Sequence, residues 1–237
     1  MIGCFGRLFD PWAGVDPARG FRENDTMTKP KDFRVLLVRS GRNDWDVTGR
    51  VTGSSDLPLC DQGRADAHEL GSVLGDQRLS VVLSGPDEAS AQTAQILAGM
   101  GKPKAKVRVL DDLAEVDLGL WEGLLSEDLV DRYPKAYKAW TVDPSSVDVP
   151  EGERFDKARA RVLDQLGRGL LRLAVKAEHP AVGVVVRPLM YGIVRSRLLG
   201  MDTKDIWRLA KDPVGAEWHR IDTARAEGLL RRAMAGR

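Results

Sequence analysis

The stretch FRVLLVRSGRNDWDVTGRVTGSSDLPLCDQGRADA, Phe33–Ala67, decides the fold. Its first six residues, 33–38, are a β-branched and leucine run without polar alternation. That pattern predicts a strand covered on both faces, as in a parallel sheet. A long loop rich in Gly, Asp and Ser follows, and a helix is expected from about Asp61 to Leu74, with Asp61 as its cap.

Outward from this unit the same alternation repeats. SVVLS (80–84) is a second buried strand, with a helix from about Asp87 to Ala98 behind it. VRVL (107–110) is a short third strand. Residues 126–140 read as one helix, because Leu129, Val130, Tyr133 and Tyr137 share a face. A polar loop from Asp143 to Gly152 leads to a long helix over Arg154–Ala177, striped by Val162, Leu163, Leu166, Leu170 and Leu173. VGVVV (182–186) is the most hydrophobic strand. It precedes a helix that ends near Leu199 with Gly200 as the C-cap, a short helix over 203–211 and an edge strand at AEWHRI (216–221). Strands alternating with helices predict a three-layer αβα sandwich around a mostly parallel sheet, over residues 32–224. Residues 1–31 lack sustained periodicity and read as a poorly ordered extension. Ile2, Phe5, Leu8, Phe9 and Trp12 leave a short docking segment open there, and Met27 is an alternative start. Residues 225–237 read as a basic tail that extends as a surface helix.

Composition narrows the function. Hydrophobic residues make up 43% of 237, enough for one substantial core. Thirty-six Lys and Arg against 35 Asp and Glu leave +1, which excludes a generic polyanion binder and argues against nucleic acid as a partner. No segment reaches the ~20 apolar residues of a membrane span. Cys4 and Cys60 form no metal-ligand spacing, so neither metal nor cofactor is expected and a reducing, cytoplasmic setting fits best.

Ligands of such sheets gather at the carboxyl ends of the strands. There, residues 38–67 resemble the first signature of the histidine phosphatase (phosphoglycerate mutase-like) superfamily, R-H-G-x-T-x-W-N-x-x-G-R-x-x-G-x-x-D-x-P-L-T-x-x-G-x-x-Q-A. Arg39, Gly41, Trp45, Gly49, Arg50, Gly53, Asp56, Pro58, Leu59, Gly63 and Ala67 match in register. LSGPDEASAQTAQILA (83–98) is similar to S-S-x-L-x-R-A-x-x-T-A, and LAEVDLGLWEG (113–123) to L-x-E-x-D-F-G-x-W-E-G. VDVPEGERFDKARARV resembles P-x-G-E-S-x-x-D-x-x-x-R-V, and VVVRPLMYGIVRSRLLG (184–200) resembles V-V-S-H-G-G-x-I-R-x-L-L-x-x-L-L-G. The resemblance runs over roughly residues 33–222. It implies a phosphoglycerate mutase-like fold, often dimeric, and a phosphoryl group passed through a histidine. Two arginines and a second histidine hold the phosphoryl oxygens, and a carboxylic acid protonates the leaving group.

Position by position, this chain departs from that machinery. Ser40 stands at the nucleophile, Asp46 at the asparagine after tryptophan, Ala89 at the second arginine and Arg187 at the second histidine. Pro188 and Leu189 follow where small residues are expected. Arg39 and Glu115 match the first arginine and the acid. A serine hydroxyl is far less nucleophilic than imidazole at neutral pH unless a base activates it. His68 lies in the first helix, His179 just before a strand and His219 within the edge strand, so no such base is visible. The expectation is therefore a pseudoenzyme with a binding, regulatory or scaffolding role. Arg39 and Arg187 either converge on a phosphate or other small anion, or Arg187 pairs internally with Asp46 or Glu115. The alternatives are a phosphatase or esterase that uses Ser40, or a protein that meets a partner through residues 1–31 or its tail.

Overall fold

A computed structural model describes residues 32–72, 74, 77–101, 103–176, 181–210 and 215–234. The extension, its docking segment, Met27 and His179 lie outside the described residues. In chain order the elements are β1 (Asp32–Arg39), α1 (Asp44–Thr48), α2 (Asp61–Ser72), β2 (Val81–Ser84), α3 (Glu88–Met100), β3 (Lys106–Val109), α4 (Ser126–Arg132) and α5 (Pro134–Val142). They continue with α6 (Phe155–Lys176), β4 (Ala181–Val186), α7 (Pro188–Leu199), α8 (Ile206–Ala210), β5 (Ala216–Asp222) and α9 (Thr223–Met234).

The five strands form one sheet in the order β3-β2-β4-β1-β5, parallel except for β5, which runs antiparallel along β1. The unbroken hydrophobic run of β1 is explained by two covered faces. Val35 and Leu37 enter one core with Leu166 and Leu170 of α6 and Ile193 of α7. Leu36 and Val38 enter a second core with Ala94 and Leu97 of α3. The architecture is thus the expected αβα sandwich with a mostly parallel sheet. Helix α7 is buried on nearly every side, as its all-round apolar sequence requires, and Gly200 closes it in the left-handed conformation at φ 70°.

Two expectations are corrected. The segment 126–140 is two helices. Pro134 takes the first position of α5, and Tyr133 before it sits at φ −132°, ψ 49°, outside the helical region. A pre-proline residue is pushed there sterically, and proline has no N–H to continue the first helix. Val130 and Tyr133 are consequently exposed, while Leu129 is buried. Nor is the tail an appendage. Helix α9 starts at Thr223 and packs along α6, and its Ala226 and Leu229 are buried in the main core. The domain therefore runs on past residue 224.

Truncating a buried leucine costs about 2–5 kcal/mol, and an exposed one costs little. Leu229→Ala should therefore lower unfolding stability by at least about 2 kcal/mol in a urea titration. A loss under about 0.5 kcal/mol would return α9 to the surface.

Candidate functional site

Strands β1 and β4 are parallel neighbours with Arg39 beside Val186, and the backbone N–H of Ser40 donates to the Val186 carbonyl at 2.9 Å. Ser40 and Arg187 therefore leave the sheet side by side. Only 3% of the Arg187 side chain is exposed. Its Nη2 donates to both carboxylate oxygens of Asp46, at 2.8 and 3.0 Å. Nη1 reaches Ser40 Oγ at 3.4 Å and the Gly41 carbonyl at 3.5 Å.

Asp46 is placed for this by α1. Asn43 caps that helix by accepting from the Asp46 N–H at 2.8 Å, and Asp46 Oδ2 accepts in return from the Asn43 N–H at 2.9 Å. Thr52 Oγ1 donates to Asp46 Oδ1 at 3.3 Å. Of the two internal partners open to Arg187, the structure forms the pair with Asp46.

Glu115 is turned elsewhere. It is buried, its Oε2 accepts from the Leu189 N–H at 2.8 Å, and its Oε1 accepts from the N–H groups of Met190 (3.2 Å) and Val116 (2.9 Å). Pro188, the first residue of α7, has no N–H, so Glu115 satisfies the next two orphan donors of that helix. Burial pushes its carboxyl up to about 7, and nearby Asp87 acts in the same direction, against the N–H groups and Arg187. The segment that carries Glu115 is fixed from outside by Arg161. That guanidinium donates to the carbonyls of Asp112, Ala114 and Glu115 and pairs with Glu153 at 2.7 Å.

The remaining positions divide cleanly. Ala89 is buried on α3 against Leu59, Ala67 and Ile96, an apolar contact where the resemblance places an arginine. Asp87 caps α3 by accepting from the Ser90 N–H at 2.8 Å, while its other oxygen is buried without a hydrogen-bond partner among the described residues. The matched loop residues brace the frame. Asp56 accepts from the Glu88 N–H at 2.7 Å, at the start of α3. Gly53, at φ 53°, lies so close to Glu122 that a Cβ would meet Oε1 at 2.2 Å. Glu122 binds the loop by accepting from the N–H and hydroxyl of Ser54 (2.7 and 3.0 Å), the hydroxyl of Ser55 (2.5 Å) and the Leu118 N–H (3.0 Å).

A cavity of about 440 Å³ opens above Arg187, lined also by Arg39, Asp46, Arg50, Thr52, Glu115, Tyr137, Trp140, Leu189 and Trp207. Arg39 donates to the Ala210 carbonyl at 2.7 Å and Arg50 to the Gly123 carbonyl at 2.6 Å. Arg50, Tyr137, Trp140 and Trp207 are cavity residues that the sequence alone does not mark. They come from separate elements, and nothing in their spacing announces a common cavity. Among the described residues no imidazole lines it: His68 is exposed on α2, and His219 pairs with Glu217 at 2.9 Å on β5. No group of three metal-ligating side chains stands together among them, and no helix among them is long and apolar enough to cross a membrane. Among the described residues the only side chain in hydrogen-bond range of Ser40 Oγ is Arg187, which donates and cannot act as a base.

Known proteins agree with the fold and with the signature. The family model described as the histidine phosphatase superfamily, branch 1, matches residues 35–232. The chain is similar to phosphoserine phosphatase 1 of Hydrogenobacter thermophilus, 28% identical over 181 residues, covering 76% of this chain and 82% of that one. It is also similar to phosphoglycerate mutase-like protein 4 of Arabidopsis thaliana, 31% identical over 164 residues, covering 68% of each. Among solved structures, Bacillus stearothermophilus YhfR superposes with a TM-score of 0.67 at 23% identity, over 78% of this chain and 90% of that one.

Two measurements probe these electrostatics. A buried guanidinium left without its carboxylate costs about 3–5 kcal/mol. Asp46→Asn should destabilise by about that much, and the double variant with Arg187→Met should recover most of it. A single variant within about 0.5 kcal/mol of wild type would show that the pair does not hold Arg187. The second concerns Glu115. The folded chain keeps a proton that the unfolded chain releases near the ordinary value of 4.5. Stability should therefore fall as pH rises from about 4.5 through about 7 and level off above. The gap between wild type and Glu115→Gln should change by roughly 3 kcal/mol between pH 4.5 and 8, and parallel pH profiles would mean that folding leaves the Glu115 carboxyl at its ordinary value.

Proposed function

The chain belongs to the histidine phosphatase superfamily, and from that premise we propose that it is a noncatalytic member, a pseudophosphatase whose role is binding, regulation or scaffolding. The observation that carries this reading is the Arg187–Asp46 ion pair set against Ser40. At the two positions where the family places a nucleophilic and a phosphoryl-binding imidazole, this chain has a hydroxyl and a guanidinium. The carboxylate that neutralises the guanidinium stands where the family has an amide.

The losses compound. Among the described residues Ser40 Oγ has no base in reach, and a guanidinium donating to it does not abstract its proton. Ala89 withdraws a second cation from the phosphoryl position, and each such electrostatic contact is typically worth ~10²–10³ in rate. Glu115, which the resemblance makes the proton donor, has both oxygens directed at the start of α7. The relatives are named phosphatases. What this chain shares with them is the braced loop and the sheet. What it lacks is the nucleophile and half of the phosphoryl cradle. The role left to the site is binding of a phosphate or other small anion, with Arg39 and Arg50 as the cavity arginines that form no ion pair among the described residues. A protein partner or a second copy of the chain in the cytoplasm fits the same reading.

The test is turnover. Across a broad panel of phosphomonoesters the chain should release no phosphate above a Ser40→Ala control, and its intact mass should show no phosphorylated species during incubation. Ser40→His alone should not restore activity, because Ala89 and the Arg187–Asp46 pair remain. Substrate turnover that disappears in Ser40→Ala would sink the proposal and install serine chemistry in its place.

A further inference from the structure

We infer that the cavity beside Arg187 is a binding site for a small organic anion with an aromatic body. Its charged end lies on Arg39 and Arg50, and its ring lies against Trp207, which the buried Trp140 backs. The inference rests on the noncatalytic reading, since it treats the old phosphoryl position as closed by the Arg187–Asp46 pair.

The charge argument comes first. Three arginines line the cavity against two carboxylates, Asp46 and Glu115. Asp46 is spent on Arg187 at 2.8 Å, and Glu115 is spent on the N–H groups of α7. Arg39 and Arg50 are left with one backbone carbonyl each, Ala210 and Gly123, and form no ion pair among the described residues; Arg39 feels the charge of Asp66, but that carboxylate is paired with Arg42 at 2.7 Å. A guanidinium has five donors in a planar fork, so each keeps several for an oxyanion. The cavity therefore presents two arginines without an ion-pair partner, away from the buried Arg187–Asp46 pair.

The aromatic argument is independent. Trp140 and Trp207 meet edge to face with ring centres 4.4 Å apart and planes at 71°. Trp207 Nε1 donates to the Trp140 carbonyl at 2.7 Å, and Tyr137 stacks on Trp140 at 6.0 Å. These contacts fix the rings before anything binds, so little conformational freedom is lost when a ring lies on them. Helix α8 joins the two halves of the site. It carries Trp207, and its last carbonyl, from Ala210, receives Arg39. About 440 Å³ lies within the range of small-molecule pockets and far exceeds what a bare phosphate or sulfate fills. An ion alone would touch the arginines and leave the aromatic wall wet.

Phenyl phosphate, phenylacetate, inorganic phosphate and benzyl alcohol separate the contributions in a calorimetric titration read alongside tryptophan fluorescence. Phenyl phosphate and phenylacetate should quench the fluorescence and bind at least about tenfold more tightly than inorganic phosphate or benzyl alcohol. Arg50→Gln, on an exposed side chain, should weaken both by about tenfold with the circular dichroism spectrum unchanged. Trp207→Leu should bring phenyl phosphate down to the level of inorganic phosphate. Inorganic phosphate binding as well as phenyl phosphate would overturn the inference, as would an absence of binding by either aryl anion, and neither result touches the noncatalytic reading. Phenol release during saturable binding of phenyl phosphate would sustain the site and overturn the noncatalytic reading instead.

Discussion

A guanidinium buried as deeply as that of Arg187 loses several kcal/mol of hydration, and the fold has to return that energy within a few ångströms. Asp46 does so, and the surrounding geometry follows from the requirement. The short helix α1 sets the distance of Asp46 through its reciprocal cap with Asn43. Thr52 reaches the same carboxylate from the far side of the loop. The loop after β1 is thus tied to the end of β4 by an ion pair, in a place where two strand ends would otherwise face each other across a polar gap.

Placing arginine there has an effect on Glu115. The carboxyl lies near enough to Arg187 to feel its charge, yet it is not its partner. It serves the start of α7, where proline removes one N–H and leaves the next two exposed to a buried environment. Replacing those bonds with water is not open to a helix enclosed on nearly all sides. A residue that the resemblance assigns to proton donation therefore has a sufficient structural reason to be present without any reaction.

The sheet was readable because its strands announce themselves. Val35–Val38 and Val182–Val186 are runs that only a doubly covered strand tolerates, and β5 was placed at an edge by its mixed polarity. The split at Tyr133–Pro134 was also visible in the sequence, and the apolar spacing across it outweighed a stronger local rule. The last helix looks like a basic surface helix in sequence because its arginines outnumber Ala226 and Leu229, whose burial depends on α6. Of the candidate site, the residue types at positions 40, 46, 89 and 187 were legible from their register in the signature. The choice between Asp46 and Glu115 as the partner of Arg187 was not, because it depends on which way two side chains turn across a gap of a few ångströms. The aromatic wall was out of reach, since Tyr137, Trp140 and Trp207 meet only after α5 and α8 have packed.

The bracing by Glu122 and Arg161 reaches beyond stability. Glu122 shapes the loop through Gly53, Ser54, Ser55 and Leu118, and Arg161 holds the backbone at Asp112, Ala114 and Glu115, all without touching the atoms where a phosphoryl group would react. Frame and reagents are mechanically separate. A lineage can exchange the reagents one at a time while each intermediate still folds, so kinship stays readable long after the chemistry has changed. Likeness across residues 35–232 measures inheritance of the frame. Inheritance of a reaction is a separate character, written at four positions.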